Sequence, residues 1–348
     1  MTGAIDAHFQ HFDAFEASLG GWTSRPLQLD PGPLDLHWSA VDLDGLAVGS
    51  LALKPRIADE AWIEEGWFSV VLCLGSKHWG GLAVEPGRLC DIPPGRSYRT
   101  LLSPGWRSLE FGLKLDLATT LMPTVPWSEL AKRSPADAIG PRLPDALVAR
   151  ACAWVGGLFQ LLQADPDLLQ DRGTVRSLQR RTLHLLEDLL EPQARDACVG
   201  YVRRLPSSGV VEAALDALAT DMGPDHEAAH AGLPILYTGK PVAALAAQLH
   251  MSPRTLQHAF KANLGVSPQR YILSRKLALA RYDLLRGDED ELTVTAIAHE
   301  HGFTHLGRFA AAYRTFFGES PSTTLHRRLR RAGARLSDVS THRTDLGV

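Results

Sequence analysis

Short apolar or alternating runs, separated by turn-forming pairs, fill the chain between residues 25 and 115. Pro-Gly, Asp-Gly, Gly-Ser and Gly-Gly mark the turns, and the runs are LDLHWSAVDL, LAVGSLAL, WFSVVLCLG, GGLAVEP and SLEFGLKL. Strands of this length with regular turns are typical of an antiparallel sandwich or a small barrel. The pattern therefore predicts a β-rich N-terminal region, followed by a proline-rich connection over residues 116–140.

A helical pattern replaces the strands between residues 144 and 222. LVARACAWVGGLFQLLQ and VRSLQRRTLHLLEDLLE place apolar residues at i, i+3, i+4 and i+7, the spacing of one helix face. Asp165-Pro166 and Glu191-Pro192 predict breaks, because the residue before a proline disfavours the α conformation. Residues 223–241 have mixed polarity and predict an approach to the last domain, with a short strand in it.

The last third of the chain contains an internal repeat, with residues 242–268 matching residues 294–321. The offset between the copies is 52 residues up to a turn and 53 residues beyond it. The matched pairs are Val242 with Val294, Leu245 with Ile297, Ala246 with Ala298, Leu256 with Phe309, Phe260 with Tyr313, Gly265 with Gly318 and Pro268 with Pro321. The chain therefore forms the same local structure twice, with one residue added in the second turn.

Each copy predicts a short helix, a turn and a second helix. The turns fall at His250-Met251 and Gly302-Phe303, and Ser252 or Thr304 is positioned to cap the helix that follows. This order is that of a helix-turn-helix, whose second helix enters the major groove of DNA. The predicted recognition helices cover about 253–262 and 305–316.

One amphipathic helix is predicted between the copies, over PQRYILSRKLALARYDLLRG. It would hold the two units rigidly apart, so that they occupy successive major grooves about 34 Å apart. Its predicted buried stripe consists of Tyr271, Ile272, Leu277, Ala280, Leu284 and Leu285.

Polar residues remain on the outer face of the first recognition helix. They are Arg254, Thr255, Gln257, His258 and Lys261. Arginine reads guanine and glutamine reads adenine through two hydrogen bonds each, while lysine reaches phosphate. A solvated surface helix would show the same composition, and the repeat favours the DNA-reading interpretation.

Charge is distributed unevenly along the chain. Residues 234–335 hold 15 Lys and Arg against 7 Asp and Glu, whereas residues 1–233 hold 20 against 30. A basic C-terminal part joined to an acidic remainder is what a nucleic-acid-binding module on a separate domain produces.

Residues 238–335 resemble the DNA-binding domain of the AraC/XylS family of bacterial transcription regulators. The resemblance lies in SPRTLQHAF, LGVSP, YILSRKLALA and GFTHLGRFAAAYRTFFGESPS. It implies a cupin-like, ligand-sensing and dimeric N-terminal domain. It also implies that the protein is an activator whose partners are operator DNA and RNA polymerase. The scattered cysteines separately predict a cytoplasmic location.

The resemblance also assigns candidate DNA contacts. Base reading falls on Arg254, Gln257 and His258 in the first unit and on Arg308, with His305 nearby, in the second. Gly307 and Ala311 stand where the family often reads bases, and neither carries a hydrogen-bonding side chain, so much of the second unit's binding is expected to go to the DNA backbone. The phosphate candidates are Thr255, Lys261, Arg270, Arg275 and Arg314. The basic run 326–335 is open to two interpretations, a phosphate-binding segment or a frayed helix.

The predicted fold class is α+β, with an N-terminal cupin-like antiparallel β domain, a helical middle segment and a C-terminal all-α domain with two helix-turn-helix units. The predicted division is a sensing domain over 1–122, a linker and dimerisation segment over 123–222, a connection over 223–237, the DNA-binding domain over 238–335 and a tail over 336–348.

All eight tryptophans precede residue 155. They predict either an aromatic ligand pocket or ordinary core packing, and packing is favoured. The pocket candidates are Trp38, Trp67, Trp79 and Trp106.

The sequence contains few residue patterns that would support a function other than DNA binding. His37 and His78 are the only histidines of the β region and lie far apart, which argues against a metal-dependent enzyme. GxSxG, Walker and GxGxxG motifs are absent from the sequence.

The four cysteines include no CxxC pair, so reduced thiols are expected. Cys73 and Cys90 are interpreted as structural thiols or, less favoured, as a redox sensor. No cofactor, metal, membrane span or signal peptide is predicted. The alternatives left open are a cupin-type enzyme and a constitutive DNA-binding dimer.

Overall fold

The structure is a computed structural model. It describes residues 4–15, 22–79, 81–92, 94–95, 97–133, 138–195, 205–219, 242–286 and 293–328. The predicted connection over 223–237, the strand suggested within 223–241 and the predicted tail over 336–348 lie outside these residues.

Two antiparallel sheets form the N-terminal domain. The strands are β1 (Ala4–Phe9), β2 (Trp22–Gln28), β3 (Leu36–Asp42), β4 (Leu46–Leu53), β5 (Ile57–Ile63), β6 (Trp67–Cys73), β7 (Lys77–Trp79), β8 (Leu82–Val84), β9 (Arg88–Ile92), β10 (Ser97–Leu102), β11 (Arg107–Lys114) and β12 (Ile139–Arg142). One sheet has the order β1-β3-β4-β11-β6-β9-β12 and the other β2-β5-β10-β7-β8. The predicted antiparallel β domain is confirmed. It also includes β1 and β12, which lie outside the predicted region 25–115. Of the strands in or overlapping that region, β2, β5, β7, β9 and β10 fall outside the five quoted runs.

Strand β6 shows why the domain has its particular sequence pattern. Phe68, Val70 and Leu72 face a core beneath the middle helices, whereas Val71 and Cys73 face the core between the two sheets. Both faces of the strand are covered, so WFSVVLC reads as a nearly continuous apolar run instead of an alternating one. The seven-stranded sheet therefore contributes to two cores.

Helices cover the outer face of that sheet. They are α2 (Leu115–Leu121), α3 (Trp127–Leu130), α4 (Asp145–Ala164) and α5 (Arg172–Arg195), with a 3-10 helix over Pro166–Gln170. Helix α6 (Ser208–Ala219) packs in a separate core with Leu27 of β2 and Leu101 of β10. A short helix, α1 (Phe12–Phe15), follows β1.

Two sequence-based expectations about this segment need correction. The predicted connection over 116–140 contains helices, and β12 within it pairs with β9. Helix α5 continues past Pro192 to Arg195, so the predicted break falls three residues later than expected. The break at Asp165-Pro166 is confirmed, since α4 ends there and the 3-10 helix begins.

Helix α4 is long and apolar enough to span a membrane by length and composition alone. This is weak evidence, because core helices of globular proteins pass the same test. Here Val155, Leu158 and Leu162 are buried in the core that α4 shares with the sheet and α5.

The C-terminal part is all-α. It contains α7 (Val242–Gln248), α8 (Pro253–Leu264), α9 (Pro268–Arg286), α10 (Val294–Glu300) and α11 (Leu306–Phe317), and residues 321–328 form α12. The predicted pair of helix-turn-helix units on one connecting helix is confirmed.

Trp38 packs in the core between the sheets. Its ring meets Phe15 edge to face at 5.9 Å between ring centroids, and it lies over Gly49 of the neighbouring strand. A glycine is needed there, because a Cβ at position 49 would stand 2.4 Å from Cη2 of the indole.

We expect Gly49→Ala to lower the free energy of unfolding by about 1–3 kcal/mol, since the buried ring has little room to move. The measurement is the urea midpoint followed by tryptophan fluorescence, which reports on the first 154 residues because all tryptophans lie there. Gly157→Ala in α4 is the control, because a Cβ there meets nothing within 4 Å. That change should stabilise the protein by about 0.5–1 kcal/mol. An unchanged midpoint for Gly49→Ala would contradict this account of the packing.

Candidate nucleic-acid interface

The two helix-turn-helix units share the same turn geometry. His250 and Gly302 both take a left-handed conformation, with φ of 51° and 71°. The next residue in each unit, Met251 or Phe303, donates its N–H to the carbonyl of Ala246 or Ala298, at 2.9 and 2.8 Å. The repeat in the sequence is therefore a repeat of backbone hydrogen bonding.

The second helices begin differently in the two units. Ser252 caps α8 by accepting the N–H of Thr255 at 3.1 Å. In the second unit the added residue moves the start of α11, so that His305 is the N-cap and no side chain caps the helix. The prediction that Thr304 caps this helix is wrong.

Each unit buries its own cluster. Leu256, Ala259 and Phe260 of α8 are buried in one, and Phe309 and Tyr313 of α11 in the other. Helix α9 enters both clusters, through Tyr271 and Ile272 in the first and Leu277, Ala280 and Leu284 in the second. Leu285 of the predicted stripe is only half-buried. Because α9 belongs to both cores, the two units are held by one rigid element.

One face of each recognition helix is exposed to solvent. The residues predicted to read bases are all exposed, namely Arg254, Gln257, His258, His305 and Arg308, and so are the phosphate candidates Thr255, Lys261 and Arg314. Lys261 Nζ also donates to the carbonyl of Gly265 at 3.2 Å. Gly307 and Ala311 are exposed as well, so the second unit presents fewer hydrogen-bonding groups than the first.

Two phosphate candidates on α9 lie elsewhere. Arg275 is 3% exposed, its guanidinium is 5.9 Å from the ring centroid of Tyr271, and burial lowers its pKa. It cannot reach a phosphate in this arrangement, so that prediction is corrected. Arg270 is half-buried, and its Nε donates to the carbonyl of Leu29 at 3.3 Å. Both arginines serve the contact between the domains, which charge counting cannot detect.

The β domain caps the ends of both recognition helices. For α8, Arg56 Nη1 donates to the carbonyl of Gly265 at 3.2 Å, and His78 Nδ1 donates to the carbonyl of Asn263 at 2.5 Å. For α11, the N–H of Gly32 lies 3.2 Å from the carbonyls of Thr315 and Phe316. The last carbonyls of a helix have no partner within it, so these donors satisfy groups that need them. The reading ends of the helices consequently point away from the β domain.

Glu319 stabilises the end of the second unit. It accepts hydrogen bonds from Arg281 at 2.7 Å, Arg327 at 2.8 Å and Thr324 at 2.9 Å. Burial opposes ionisation, but the bonds from Arg281 and Thr324 hold the pKa of Glu319 below its usual range. Arg327, which belongs to the basic run 326–335, therefore has a structural partner, and residues 329–335 lie outside the described part.

A cavity with about 750 Å³ of free space, part of it open, lies between the two sheets. Its wall is mainly apolar, with Phe15, Leu36, Val71 and Trp106 among the lining residues, and it also presents Lys77 and Glu110. Lys77 is buried with its Nζ 5.5 Å from the ring centroid of Trp106, and burial raises the pKa of Glu110 to about 7.

Of the four tryptophans proposed for a pocket, Trp106 lines this cavity. Trp38 packs in the core, and Trp67 is half-buried beside Lys114, whose Nζ is 5.6 Å from the ring centroid. The side chain of Trp79 lies outside the described part. Cys73 and Cys90 are buried free thiols with their Sγ atoms 3.7 Å apart.

Two helix-turn-helix units on one connecting helix define a protein with a paired DNA-binding domain. Residues 245–340 match the family described as Helix-turn-helix domain. Through this domain the chain belongs to the AraC/XylS family of transcription regulators, whose members bind DNA.

Individual relatives match the same region. The XylDLEGF operon transcriptional activator 1 of Pseudomonas putida is 46% identical over 78 residues, which are 22% of this chain and 24% of that protein. The probable thc operon regulatory protein of Rhodococcus erythropolis is 42% identical over 101 residues, 29% of each chain. A probable AraC family transcriptional regulator from Rhodopseudomonas palustris is 31% identical, covering 34% of this chain and 97% of that structure, with a TM-score of 0.28. The chain thus spans about a quarter of the length of these two curated relatives.

The different N-caps of α8 and α11 can be tested with a pair of matched variants. We expect Ser252→Ala to destabilise the protein by about 1 kcal/mol, because the N–H of Thr255 loses its acceptor. Thr304→Ala should change stability by less than about 0.5 kcal/mol, since Thr304 caps nothing. Thermal unfolding followed by far-UV circular dichroism measures both. Equal losses for the two variants would show that the capping difference between the units is not real.

Proposed function

We propose that the protein is a sequence-specific DNA-binding transcription regulator that activates its target promoter in response to a ligand. The observation that supports this most directly is the exposed polar face at the start of both recognition helices, on units joined by the shared helix α9. The matched relatives carry the names of operon activators and regulators, which supports activation.

The two helix-turn-helix units make different proportions of base and phosphate contacts. In the first, Arg254, Gln257 and His258 read bases, and Thr255 and Lys261 contact phosphate. In the second, Arg308 and His305 make the base contacts, and Arg314 contacts phosphate. Because Gly307 and Ala311 carry no hydrogen-bonding side chain, the second unit relies more on the DNA backbone.

The cavity between the sheets supports ligand response over constitutive binding. A β domain that served only for dimerisation would be expected to pack solidly around its tryptophans, whereas Trp106 lines free space here. The cavity's mainly apolar wall with a few polar groups, among them Lys77 and Glu110, is the kind of lining that small organic ligands occupy.

The remaining partners are proposed on the family resemblance. They are RNA polymerase and a second copy of the chain, joined through the helical middle segment, in the cytoplasm. The cupin-enzyme alternative receives no support from the described residues, in which no three His, Cys, Asp or Glu side chains are grouped to hold a metal. His37 and His78 lie in different sheets.

The proposal is tested by binding the purified full chain to fragmented genomic DNA and mapping footprints at physiological salt. We expect protection of two adjacent major grooves on one face of the duplex, about 34 Å apart. Binding that depends on salt but not on sequence would overturn the proposal.

Once the operator is known, single substitutions distinguish residues that contact bases from residues that contact phosphates through their charge. We expect Arg254→Ala and Gln257→Ala each to lose about 1–3 kcal/mol of discrimination at particular base pairs. Lys261→Ala should instead weaken binding to all sequences alike and reduce the salt dependence. Titrations on operator, single-mismatch and random duplexes at several salt concentrations measure these effects. Equal losses on operator and random DNA for the first two variants would remove their base-reading role.

A further inference from the structure

A second cleft lies where the β domain meets α6, α8 and α9. It has about 750 Å³ of free space, part of it open to solvent. Its apolar wall comes from both domains and includes Leu27, Leu101, Val211, Leu215, Leu264 and Tyr271. This cleft is separate from the cavity between the sheets, although both have Asp59 and Thr100 in their walls.

Asn263, at the end of the first recognition helix, is among the residues that line the cleft, and its amide oxygen is buried. The side chain is 4% exposed, and its Nδ2 donates to the carbonyls of Pro206 and Ala259 at 2.8 and 2.9 Å. Because both N–H groups of the amide are used, its orientation is fixed. Among the described residues, Oδ1 has no hydrogen-bond partner. A buried acceptor without a donor is costly, so this atom favours a ligand that donates.

His78 lines the same cleft and adds a second acceptor. Its Nδ1 must carry the hydrogen, because the carbonyl of Asn263 can only accept. Burial lowers the pKa of His78, which keeps the ring neutral at pH 7 and leaves Nε2 with a lone pair.

Carboxylates outnumber guanidinium groups around the cleft. Arg99 donates to Glu212 at 3.3 Å and to Asp216 at 2.5 Å, and its Nε lies 3.7 Å from Glu60. Asp59 also lines the cleft, where it accepts from Ser24 at 2.8 Å. The second cation is Arg275. Asp59, Glu60 and Glu212 line the cleft against two guanidinium groups, which leaves the lining with one net negative charge and favours a cation over an anion.

We propose that this interdomain cleft binds a small organic amine. Its N–H groups donate to Asn263 Oδ1 and to the carboxylate of Glu212, and its hydrocarbon part packs on Val211, Leu215 and Leu264. An organic acid of the same shape would place its own acceptors against the acceptors of the protein.

Such a ligand would touch parts of the molecule that carry DNA recognition. Asn263 and Leu264 form the last turn of α8, and Tyr271 lies in the first turn of α9. On the proposed function, occupancy would change how firmly the first recognition helix is held by Arg56 and His78. This consequence rests on the proposed function, whereas binding of the amine does not.

The test uses the full chain and isothermal titration with three probes of similar shape: benzylamine, benzyl alcohol and benzoate. We expect benzylamine to bind about tenfold more tightly than benzyl alcohol, because a charge-assisted hydrogen bond is gained, and benzoate to bind more weakly than either. Tighter binding of benzoate than of benzylamine would overturn the proposal.

Variants locate the site. Glu212→Gln should weaken benzylamine about tenfold, whereas Glu85→Gln, an exposed glutamate outside the cleft, should leave the affinity unchanged. Leu215→Trp should block binding by filling the cleft, with its fold checked by circular dichroism. Benzylamine binding that neither Glu212→Gln nor Leu215→Trp alters would place the amine elsewhere and defeat the assignment.

DNA titrations with and without benzylamine separate this proposal from the proposed function. Sequence-specific DNA binding without any amine binding overturns the cleft assignment alone. Amine binding with the expected variant pattern, but no sequence-specific DNA binding, overturns the proposed function alone.

Discussion

The carbonyl groups at the end of a helix need donors from outside it, and in this protein the β domain supplies them to both recognition helices. Arg56 and His78 serve α8, and the N–H of Gly32 serves α11. These bonds orient each helix with its last turn inward and its first turns outward. The interdomain cleft and the buried Arg275 lie beside this contact, and the residues proposed to read bases lie on the side of the helices away from it.

The sequence predicted the structure best in the two helix-turn-helix units, where the same pattern of residues occurs twice. The two units could be predicted because small and apolar residues recur with the same spacing, and the one-residue change in offset correctly marked an added residue in the second turn. Its effect on the cap was missed, because threonine is a preferred N-cap residue and histidine is not, so residue preference favoured Thr304 over His305. Only the backbone shows which of them takes the cap position.

Long-range contacts were the part that the sequence did not show. An arginine on an amphipathic helix looks the same whether it faces DNA or another domain, so Arg270 and Arg275 could not be distinguished from Arg314. Strand β12 was missed for a related reason. Its four residues, Ile139–Arg142, are too few to show alternation and are identified as a strand only by pairing with β9.

Helix α9 sets more than the separation of the two units. Each residue of an α-helix advances the chain by about 1.5 Å and turns it by about 100°. Adding or deleting one residue between Ile272 and Leu277 would therefore rotate one unit about the helix axis by more than a quarter of a turn. On the proposed function, the second recognition helix would then miss the face of the duplex that the first one occupies. The length of α9 thus fixes the angular phase between the two recognition helices, and only a change of about a whole helical turn in α9 would preserve that phase.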